Sequence, residues 1–486
     1  MSPRYHDPID INAPVFSLTD SDHINLADFF EGSLITGSPG SGKTSCSGYQ
    51  FANVFLRNPK MGGLVLTAKG EETRNWMRYV REAGRDKDLI VFNAESGLCF
   101  DPLHYEWSRP GRGAGDLENV IDIFTTLAAV GRHEVGHGHD PFWERGNEQL
   151  IRNVVVLLDL AREAVSIASI DRVIKSLPSR PEEHEEEAWQ KDSYCAQLIA
   201  SIRARQGTLS PDQWSDLDFA VQFVFHKWPA FDERPRSSLE MTWAGMADQY
   251  LFNPNYRIFC GGKCSFTPED TTHKGKIVIC DFPILQHGHK TGQSVNAMLK
   301  LIFQRAWLRR SLAESDNPVF LWQDEFQYFL LPRWDNFFQQ TCRGSRVAVV
   351  CLTQNIMNLS EALGEAQPGS KTRSFLGNLA LKIFHQQNDT ETCQYAADQI
   401  GKEYRYIDNF SAGGGAEPAQ RHASVGGARQ LCHIVEPVEF TRLIKPTSTS
   451  PLAQAIVYQA GKTFNATQTE REPKGRSYLS VFFSRE

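Results

Sequence analysis

The sequence predicts an α/β fold in which a doubly wound, mainly parallel sheet is accompanied by an all-α insertion. Short apolar segments alternate with helical patterns before residue 93 and again after residue 275, as in sheets whose parallel strands are joined by helices. Between them, residues 161–255 have apolar residues at helical spacing only. A glycine-rich loop of phosphate-binding type follows the first apolar segment.

The remaining elements follow from the same periodicities. Buried strands are predicted at residues 33–36, 63–67, 88–92, 276–281, 318–323, 346–353, 379–384 and 453–459. Helices are predicted at residues 45–57, 72–83, 141–164 and 294–311, and within the insertion at 170–177, 194–205, 212–227 and 236–250. The glycine-rich residues 411–428 lack apolar periodicity and are predicted to form a mobile loop.

Length and charge limit the classes of function. A chain of 486 residues is long enough for roughly two or three domains. Its net charge of −7 argues against a broad surface for polyanions, so contact with nucleic acid must be local, for example in the channel of a ring. Ten scattered cysteines indicate reduced thiols. With no apolar run near ~18 residues, we expect a cytoplasmic protein that reaches the inner membrane only through a partner.

The loop after the first predicted strand carries the nucleotide prediction. Two glycines five positions apart are followed by lysine and threonine, so that backbone N–H groups can surround a triphosphate. Lys43 is expected on the β- and γ-phosphates and the Thr44 hydroxyl on Mg²⁺. The residues predicted to bind ATP are Gly37, Ser38, Pro39, Gly40, Ser41, Gly42, Lys43, Thr44 and Ser45.

A second group of candidates lies after a later strand. Asp324 and Glu325 follow the apolar segment 318–323, an arrangement that delivers carboxylates to the carboxyl edge of a sheet. Asp324 is expected to orient Mg²⁺ or its waters, and Glu325 to polarise the attacking water as general base. The pair alone is weak evidence, because many strands end in acids, but together with the phosphate loop it predicts hydrolysis.

Two further candidates surround the strand at 346–353. Gln354 ends that strand and can sense the γ-phosphate, although a polar residue there can also simply cap a turn. Arg343 lies before the strand and can act as an arginine finger on a neighbouring subunit's nucleotide. Arg346 is a rival for the same role, and the sequence spacing does not decide between them.

These motifs together resemble the TraD/TraG-like coupling ATPases of type IV secretion and conjugation, within the FtsK–HerA superfamily of motors. The phosphate loop, the acidic pair and the segments around Arg343 and Gln354 all contribute to the resemblance. The other matching segments are Thr67-Ala68-Lys69-Gly70-Glu71, Asp140-Pro141-Phe142-Trp143, Lys382-Ile383-Phe384-His385, Asn388-Asp389 and Glu391-Thr392. One departure is that Thr67 stands where the family has Asp.

The resemblance implies more than the residues do by themselves. It implies a RecA-like fold for the nucleotide-binding domain, which we place at residues 31–160 and 256–486. Composition and periodicity predict the N-terminal arm at 1–30 and the helical insertion at 161–255. Arg343 corresponds to the family's trans arginine finger and Gln354 to its sensing glutamine. A homo-hexameric ring that binds single- or double-stranded DNA is implied, with a relaxase, secretion-machinery or mobile-element protein as partner.

Alternative interpretations remain. A nucleotide-gated adaptor whose helical insertion recruits a protein without moving DNA fits the same motifs, and a small-molecule phosphotransferase fits less well. His133-Glu134-Val135-Gly136-His137 matches a zinc-protease pattern, but the surrounding glycines disfavour the helix that this pattern requires. Cys260 and Cys264 have no second cysteine pair nearby and are expected to be free thiols.

Overall fold

A computed structural model describes residues 10–130, 141–332, 334–413, 422–470 and 472–485. The chain forms two compact units. The central unit is Asn58–Val347, and the terminal unit combines Ile9–Arg57 with Ala348–Glu486. Each unit contains parallel strands and helices, which confirms the predicted α/β class.

The strands follow the predicted positions closely, with additions near both ends of the chain. In order, they are β1 Pro14–Ser17, β2 His23–Asn25, β3 Ser33–Thr36, β4 Gly62–Leu66, β5 Leu89–Phe92, β6 Ile277–Cys280, β7 Val319–Gln323, β8 Val347–Thr353, β9 Leu381–Phe384, β10 Lys402–Gly413, β11 His422–His433, β12 Leu452–Gln459 and β13 Tyr478–Ser484.

The helices likewise account for the predicted helical segments. In order, they are α1 Leu26–Phe30, α2 Tyr49–Leu56, α3 Gly70–Glu82, α4 Pro102–Ser108, α5 Leu117–Val130, α6 Pro141–Ala161, α7 Ile167–Ile174, α8 Glu187–Asp192, α9 Tyr194–Ala204, α10 Pro211–Gln222, α11 Glu233–Leu251, α12 Asn255–Phe259, α13 Pro268–His273, α14 Ile284–His287, α15 His289–Arg309, α16 Asp335–Thr341, α17 Ile356–Ala362, α18 Ser370–Gly377, α19 Thr390–Ile400 and α20 Pro437–Arg442.

In the central unit, the strands lie in the order β7, β4, β6, β5 and all pair in parallel. β4, β6 and β7 are buried along their whole length, which explains why they are continuous apolar runs rather than alternating ones. Residues 161–255 contain helices and no strand among those described, as the sequence predicted for the insertion.

Helix α15 anchors the segment that follows β7. The Lys300 Nζ donates to Asp335 Oδ2 at 2.6 Å and to the Phe329 carbonyl at 3.0 Å, and Gln304 Nε2 donates to Asp335 Oδ1 at 3.0 Å. Lys300 and Asp335 are both buried, and a buried charge is tolerated only when it is paired in this way. The chain that follows the acidic pair is therefore fixed to a core helix.

In the terminal unit, the strands lie in the order β13, β12, β9, β3, β8. The β3 strand pairs in parallel with β8 and β9, while β12 is antiparallel to both β9 and β13. The β13 strand was not predicted; its exposed face carries the apolar Phe482, which interrupts the alternation of apolar and polar residues that indicates a strand. The predicted N-terminal arm contains the β1–β2 hairpin.

The prediction of a mobile loop at residues 411–428 is wrong for the residues described. Residues 402–413 and 422–433 form β10 and β11, a continuous antiparallel ribbon of twelve pairs. Tyr404, Tyr406 and Leu431 on this ribbon are largely exposed, so the strands do not show the apolar core pattern that sequence reading detects. Backbone pairing, not burial, sets the secondary structure here.

Helix α5 was also missed, because glycine-rich stretches flank it in the sequence. The zinc-protease pattern at residues 133–137 lies outside the described residues. None of the helices in the described part of the chain combines the length and the apolar composition that a bilayer crossing requires.

Candidate functional site

The phosphate loop lies where the sequence predicted it, between a buried strand and a helix. The β3 strand ends at Thr36, which is opposite Thr353 of β8 and Phe384 of β9. Helical winding begins at Lys43 with one π-type segment, Lys43–Gly48, that continues into α2. The loop is therefore at the carboxyl end of a parallel strand and at a helix N-terminus, where α/β sheets bind phosphates.

Two glycines of the loop have no room for a side chain. A Cβ on Gly37 would lie 2.2 Å from Ser41 Oγ. Gly42 has a left-handed backbone with φ +93°, and a Cβ there would lie 2.6 Å from Ala453 Cβ. The tight curl of the loop thus depends on glycine for both steric and conformational reasons.

Two glutamines after β9 hold the loop in place. The Ser38 N–H donates to the Gln386 carbonyl at 2.8 Å, and the Ser38 hydroxyl donates to Gln386 Oε1. With its amide oriented so that both ends have partners, Gln387 Oε1 accepts from Thr36 Oγ1 at 2.8 Å and from the Gly37 N–H at 3.1 Å. Sequence reasoning missed both residues, although a polar run directly after a buried strand is a usable signal.

Gln387 also connects the loop to Gln354. In the same orientation, its Nε2 donates to the Gln354 carbonyl at 3.2 Å. Gln354 directly follows β8, which lies next to β3. The following residue, Asn355, caps α17 by accepting from the Asn358 N–H at 2.9 Å. The structure therefore brings Gln354 and the first glycine of the loop to one shared glutamine.

A buried histidine supports the helix that follows the loop. His385 is fully buried, and its Nε2 lies 2.7 Å from Ser47 Oγ. Burial lowers the pKa of His385 to about 3, and the positive charge of Lys43 contributes to the lowering. His385 is consequently neutral at physiological pH and acts as a hydrogen-bonding support.

The acidic pair lies in the central unit, at the carboxyl end of β7. Asp324 is 4% exposed and Glu325 is 2% exposed. Glu325 has φ +53°, a left-handed conformation that costs roughly 1–2 kcal/mol for a residue with a Cβ. Its N–H donates to Asp324 Oδ1 at 3.0 Å, and Gln327 Nε2 donates to Glu325 Oε2 at 3.0 Å. Backbone strain of this kind in a non-glycine residue is typical of functional sites.

Glu72 is a third buried carboxyl in this unit, and sequence reasoning missed it. Its Oε2 accepts the N–H of Ala68 at 2.9 Å and that of Lys69 at 3.4 Å. Burial raises the pKa of Glu72 well above its usual range, and the charge of Asp324 raises it further. The Lys69 Nζ lies 3.8 Å from Glu325 Oε1. The turn after β4 thus belongs to the same site as the acidic pair.

Thr67, which stands where the resembling family has Asp, takes part in a hydrogen-bonded group. Its hydroxyl donates to the Cys280 carbonyl at 3.0 Å and lies 3.3 Å from Thr73 Oγ1. The Thr73 hydroxyl donates to Asp281 Oδ1 at 2.6 Å. The Asp281 carboxylate, at the end of the adjacent strand β6, is therefore separated from Thr67 by one hydroxyl.

The two candidate arginines lie at the opposite end of β7 from the acids. Val319, which begins β7, donates its N–H to the Arg346 carbonyl at 3.1 Å, and the five residues of β7 span roughly 16 Å. Arg346 Nη1 donates to Asp316 Oδ2 at 2.9 Å, whereas the Arg343 side chain is exposed. The length of β7 therefore separates the turn that carries the two arginines from Asp324 and Glu325 of the same chain.

The donor types at the two places suit Mg²⁺. Carboxylate and hydroxyl oxygens are its preferred protein ligands, and it usually takes only one or two of them beside phosphates and water. Among the described residues, no group of three or more His, Cys, Asp and Glu side chains is placed to hold a metal ion. The Cys260 and Cys264 thiols contact different carbonyls, those of Tyr250 and Asp101.

A strand, a glycine-rich phosphate loop and a helix in one unit, and a buried strand ending in two acids in the other, define the class of P-loop nucleotide-binding folds. Residues 318–444 match the family model described as "TraM recognition site of TraD and TraG". A comparison with curated proteins found no sequence match.

The solved structures similar to this chain include the conjugative coupling protein TrwB. Its unbound form, TrwBdeltaN70, aligns with a TM-score of 0.59 and 13% identity over 94% of this chain and 86% of that one. TrwB with the ATP analogue ADPNP aligns at 0.57 and 12% identity, over 94% and 86%. TrwB with ADP and Mg²⁺ aligns at 0.57 and 12% identity, over 96% and 88%.

At this level of identity, the structural likeness establishes the fold, which confirms the predicted RecA-like arrangement with a helical domain. Together with the family match over residues 318–444, it confirms the resemblance to the TraD/TraG-like coupling ATPases.

The buried His385 predicts a measurable pH dependence of stability. Its pKa is lower in the folded protein than in the unfolded chain, so the unfolded chain binds more protons between about pH 6.5 and pH 3. Stability should fall as the pH drops through this window, by about 1.4 kcal/mol per pH unit from this residue alone. In His385→Gln, urea unfolding should show a shallower loss from pH 6 to pH 4. Parallel curves for the two proteins would contradict the assignment.

Proposed function

We propose that this chain is an ATP-hydrolysing, DNA-handling motor of the conjugative coupling type, which acts as a homo-hexameric ring. The observation that carries the proposal is the buried acidic pair after β7, with Glu325 in a left-handed conformation, in a chain that also has a complete phosphate loop. The fold likeness to TrwB, which has been solved with an ATP analogue and with ADP and Mg²⁺, supports the choice of nucleotide and ion.

Each candidate residue has a distinct role in this proposal. Lys43 binds the β- and γ-phosphates, and the backbone N–H groups of the loop surround them. Thr44 and Asp324 hold Mg²⁺, which when bound neutralises charge on the phosphates. Glu325 accepts the proton of the attacking water. Gln354, tied to the loop through Gln387, senses whether the γ-phosphate is present.

Arg343 completes the site of a neighbouring subunit. The arginine turn and the acids lie at opposite ends of β7, so Arg343 is better placed to act on another copy than on its own chain. The pairing of Arg346 with Asp316 favours a structural role for Arg346. This arrangement couples hydrolysis in one subunit to the position of the next one, which a ring motor requires.

The description of the matched family favours a second candidate function. Residues 318–444 match a region named for recognition of TraM, so this chain can instead act as a nucleotide-gated adaptor that recruits a protein partner without moving DNA. A relaxase, a component of secretion machinery or a protein of a mobile element is the type of partner proposed under either function.

Substitutions in the phosphate loop and in the acidic pair should affect ATP binding and ATP turnover differently. Lys43→Ala is expected to abolish ATP binding, because it removes the charge that compensates the β- and γ-phosphates. Glu325→Gln should bind ATP as the wild type does and lose about 10²–10⁴-fold in turnover. Binding of a fluorescent ATP analogue and release of phosphate measure the two effects. The exposed Lys371→Ala serves as control and should leave both unchanged.

Subunit mixing tests the arginine finger. Arg343→Ala alone should lose roughly 10³–10⁵-fold in turnover. Mixed with Glu325→Gln subunits, it should regain phosphate release. An Arg343→Ala subunit keeps Glu325, and a neighbouring Glu325→Gln subunit supplies the arginine that this site lacks. Arg346→Ala is the matched control and should show no such recovery. Recovery with Arg346→Ala but not with Arg343→Ala would reverse the two assignments.

The effect of DNA on hydrolysis distinguishes the motor function from the adaptor function. A motor should hydrolyse ATP faster when DNA is present, and its affinity for DNA should fall with salt by a log–log slope of about −0.7 to −0.9 per phosphate contact. Phosphate release with single- and double-stranded oligonucleotides, at several salt concentrations, measures both. Hydrolysis that DNA does not stimulate, with an affinity independent of salt, would favour the adaptor.

A further inference from the structure

Two residues of the same unit interact with the carboxylate of Glu325, one with each oxygen. On one side, Gln327 Nε2 donates to Oε2 at 3.0 Å. On the other side, the Lys69 Nζ lies 3.8 Å from Oε1, a distance at which the interaction is between charges and not a hydrogen bond. Because Glu325 is 2% exposed, a positive charge at this distance matters more than it would on the surface.

The fold places Lys69 there. Lys69 follows β4, and β4 pairs in parallel with β7, with Leu66 opposite Gln323. The carboxyl ends of neighbouring parallel strands meet at one edge of the sheet, so the residues that follow β4 and β7 are necessarily neighbours. The position of Lys69 beside Glu325 therefore follows from the strand pairing.

Glu72 fixes the turn that carries this lysine. Its buried carboxyl group accepts the N–H groups of Ala68 and Lys69, so two hydrogen bonds hold the backbone just before α3. The Lys69 side chain is 50% exposed, whereas that of Glu325 is 3% exposed. Glu325, the proposed general base, is thus enclosed, whereas about half of the Lys69 side chain is in contact with solvent.

We propose that Lys69 is a positioning residue for the general base: its ammonium, set by Glu72 through the turn at residues 68–69, holds the Glu325 carboxylate in the orientation that hydrolysis requires. This inference rests on the proposed function, because it assigns the orientation of the base in that reaction. Gln327 restrains one carboxylate oxygen and Lys69 the other. Loss of the ammonium leaves a buried carboxylate with one restraint fewer, so the base spends less time in its productive orientation.

The first test compares turnover with binding in the full chain. Lys69→Met, which keeps most of the apolar stem, should lower kcat for ATP by about 10–100-fold with KM and the affinity for an ATP analogue within about twofold of wild type. Lys69→Arg keeps the charge and should retain most of the turnover. Lys274→Met removes a lysine from a surface ion pair with Asp270 and should change neither quantity.

Two variants of Glu72 test its part in the proposal. In Glu72→Gln, the amide oxygen can still accept the N–H groups of Ala68 and Lys69, so turnover should be higher than in Glu72→Ala. In Glu72→Ala, the turn loses its acceptor, and turnover should fall as it does in Lys69→Met. Equal turnover in the two Glu72 variants would overturn the role of the turn.

The second test needs no hydrolysis. In the nucleotide-free protein, hydrogen–deuterium exchange of a peptide covering residues 324–330 should be faster in Lys69→Met than in wild type and near wild type in Lys69→Arg. A raised KM with unchanged kcat would overturn the inference, because Lys69 would then bind nucleotide and not position the base. Unchanged kcat and unchanged exchange would overturn it as well.

Failure of the proposed function is distinguishable from failure of this inference. If wild type releases no phosphate from ATP, hydrolysis is refuted, while the exchange measurement still reports whether Lys69 restrains Glu325. If wild type hydrolyses ATP and Lys69→Met does so equally well, hydrolysis stands and the positioning role does not.

Discussion

The phosphate loop of the terminal unit and the acidic pair of the central unit depend on the same kind of constraint, the parallel pairing of strands that are buried along their length. Such a strand exposes its first polar residues only where it ends, and its parallel neighbours end at the same edge. In the terminal unit, this brings the residues after β3, β8 and β9 together, so that Gly37, Gln354 and Gln387 share hydrogen bonds. In the central unit, it brings Lys69 to Glu325.

Buried carboxylates at the carboxyl edge of the sheet need partners that compensate their charge. Glu72 and Glu325 lie within the protein and not in solvent, and an unpaired buried carboxylate is unfavourable by several kcal/mol. The structure offsets this with backbone N–H groups at Glu72 and with an amide and an ammonium at Glu325. Buried charge and a strained backbone are unfavourable for folding, and the proposed function accounts for both of them as features of a catalytic site.

The same geometry separates the arginines from the acids. The length of β7 separates the turn that carries Arg343 from the carboxyl end of the strand, and in the proposed function this arginine therefore acts on a second copy. Arg346 is paired with Asp316 beside the start of the strand. Arg310 donates to the Asn317 carbonyl at 2.8 Å and to the Ser345 carbonyl, and it thereby joins the segment before β7 to the turn before β8. In the proposed function, hydrolysis therefore depends on subunit assembly, because the arginine has to come from another copy of the chain.

The sequence by itself determined the strands at residues 33–36 and 319–323, the phosphate loop and the position of the acidic pair, because these depend on local periodicity and on loop chemistry. Only the tertiary structure decided that Gln386 and Gln387 support the loop and that Lys69 and Glu72 accompany Glu325. It also decided that residues 402–413 and 422–433 pair as a ribbon, which overlaps the loop predicted at 411–428. The physical reason is distance along the chain. Ser38 and Gln386 are 348 positions apart, and contacts of that kind leave no periodic trace in either segment.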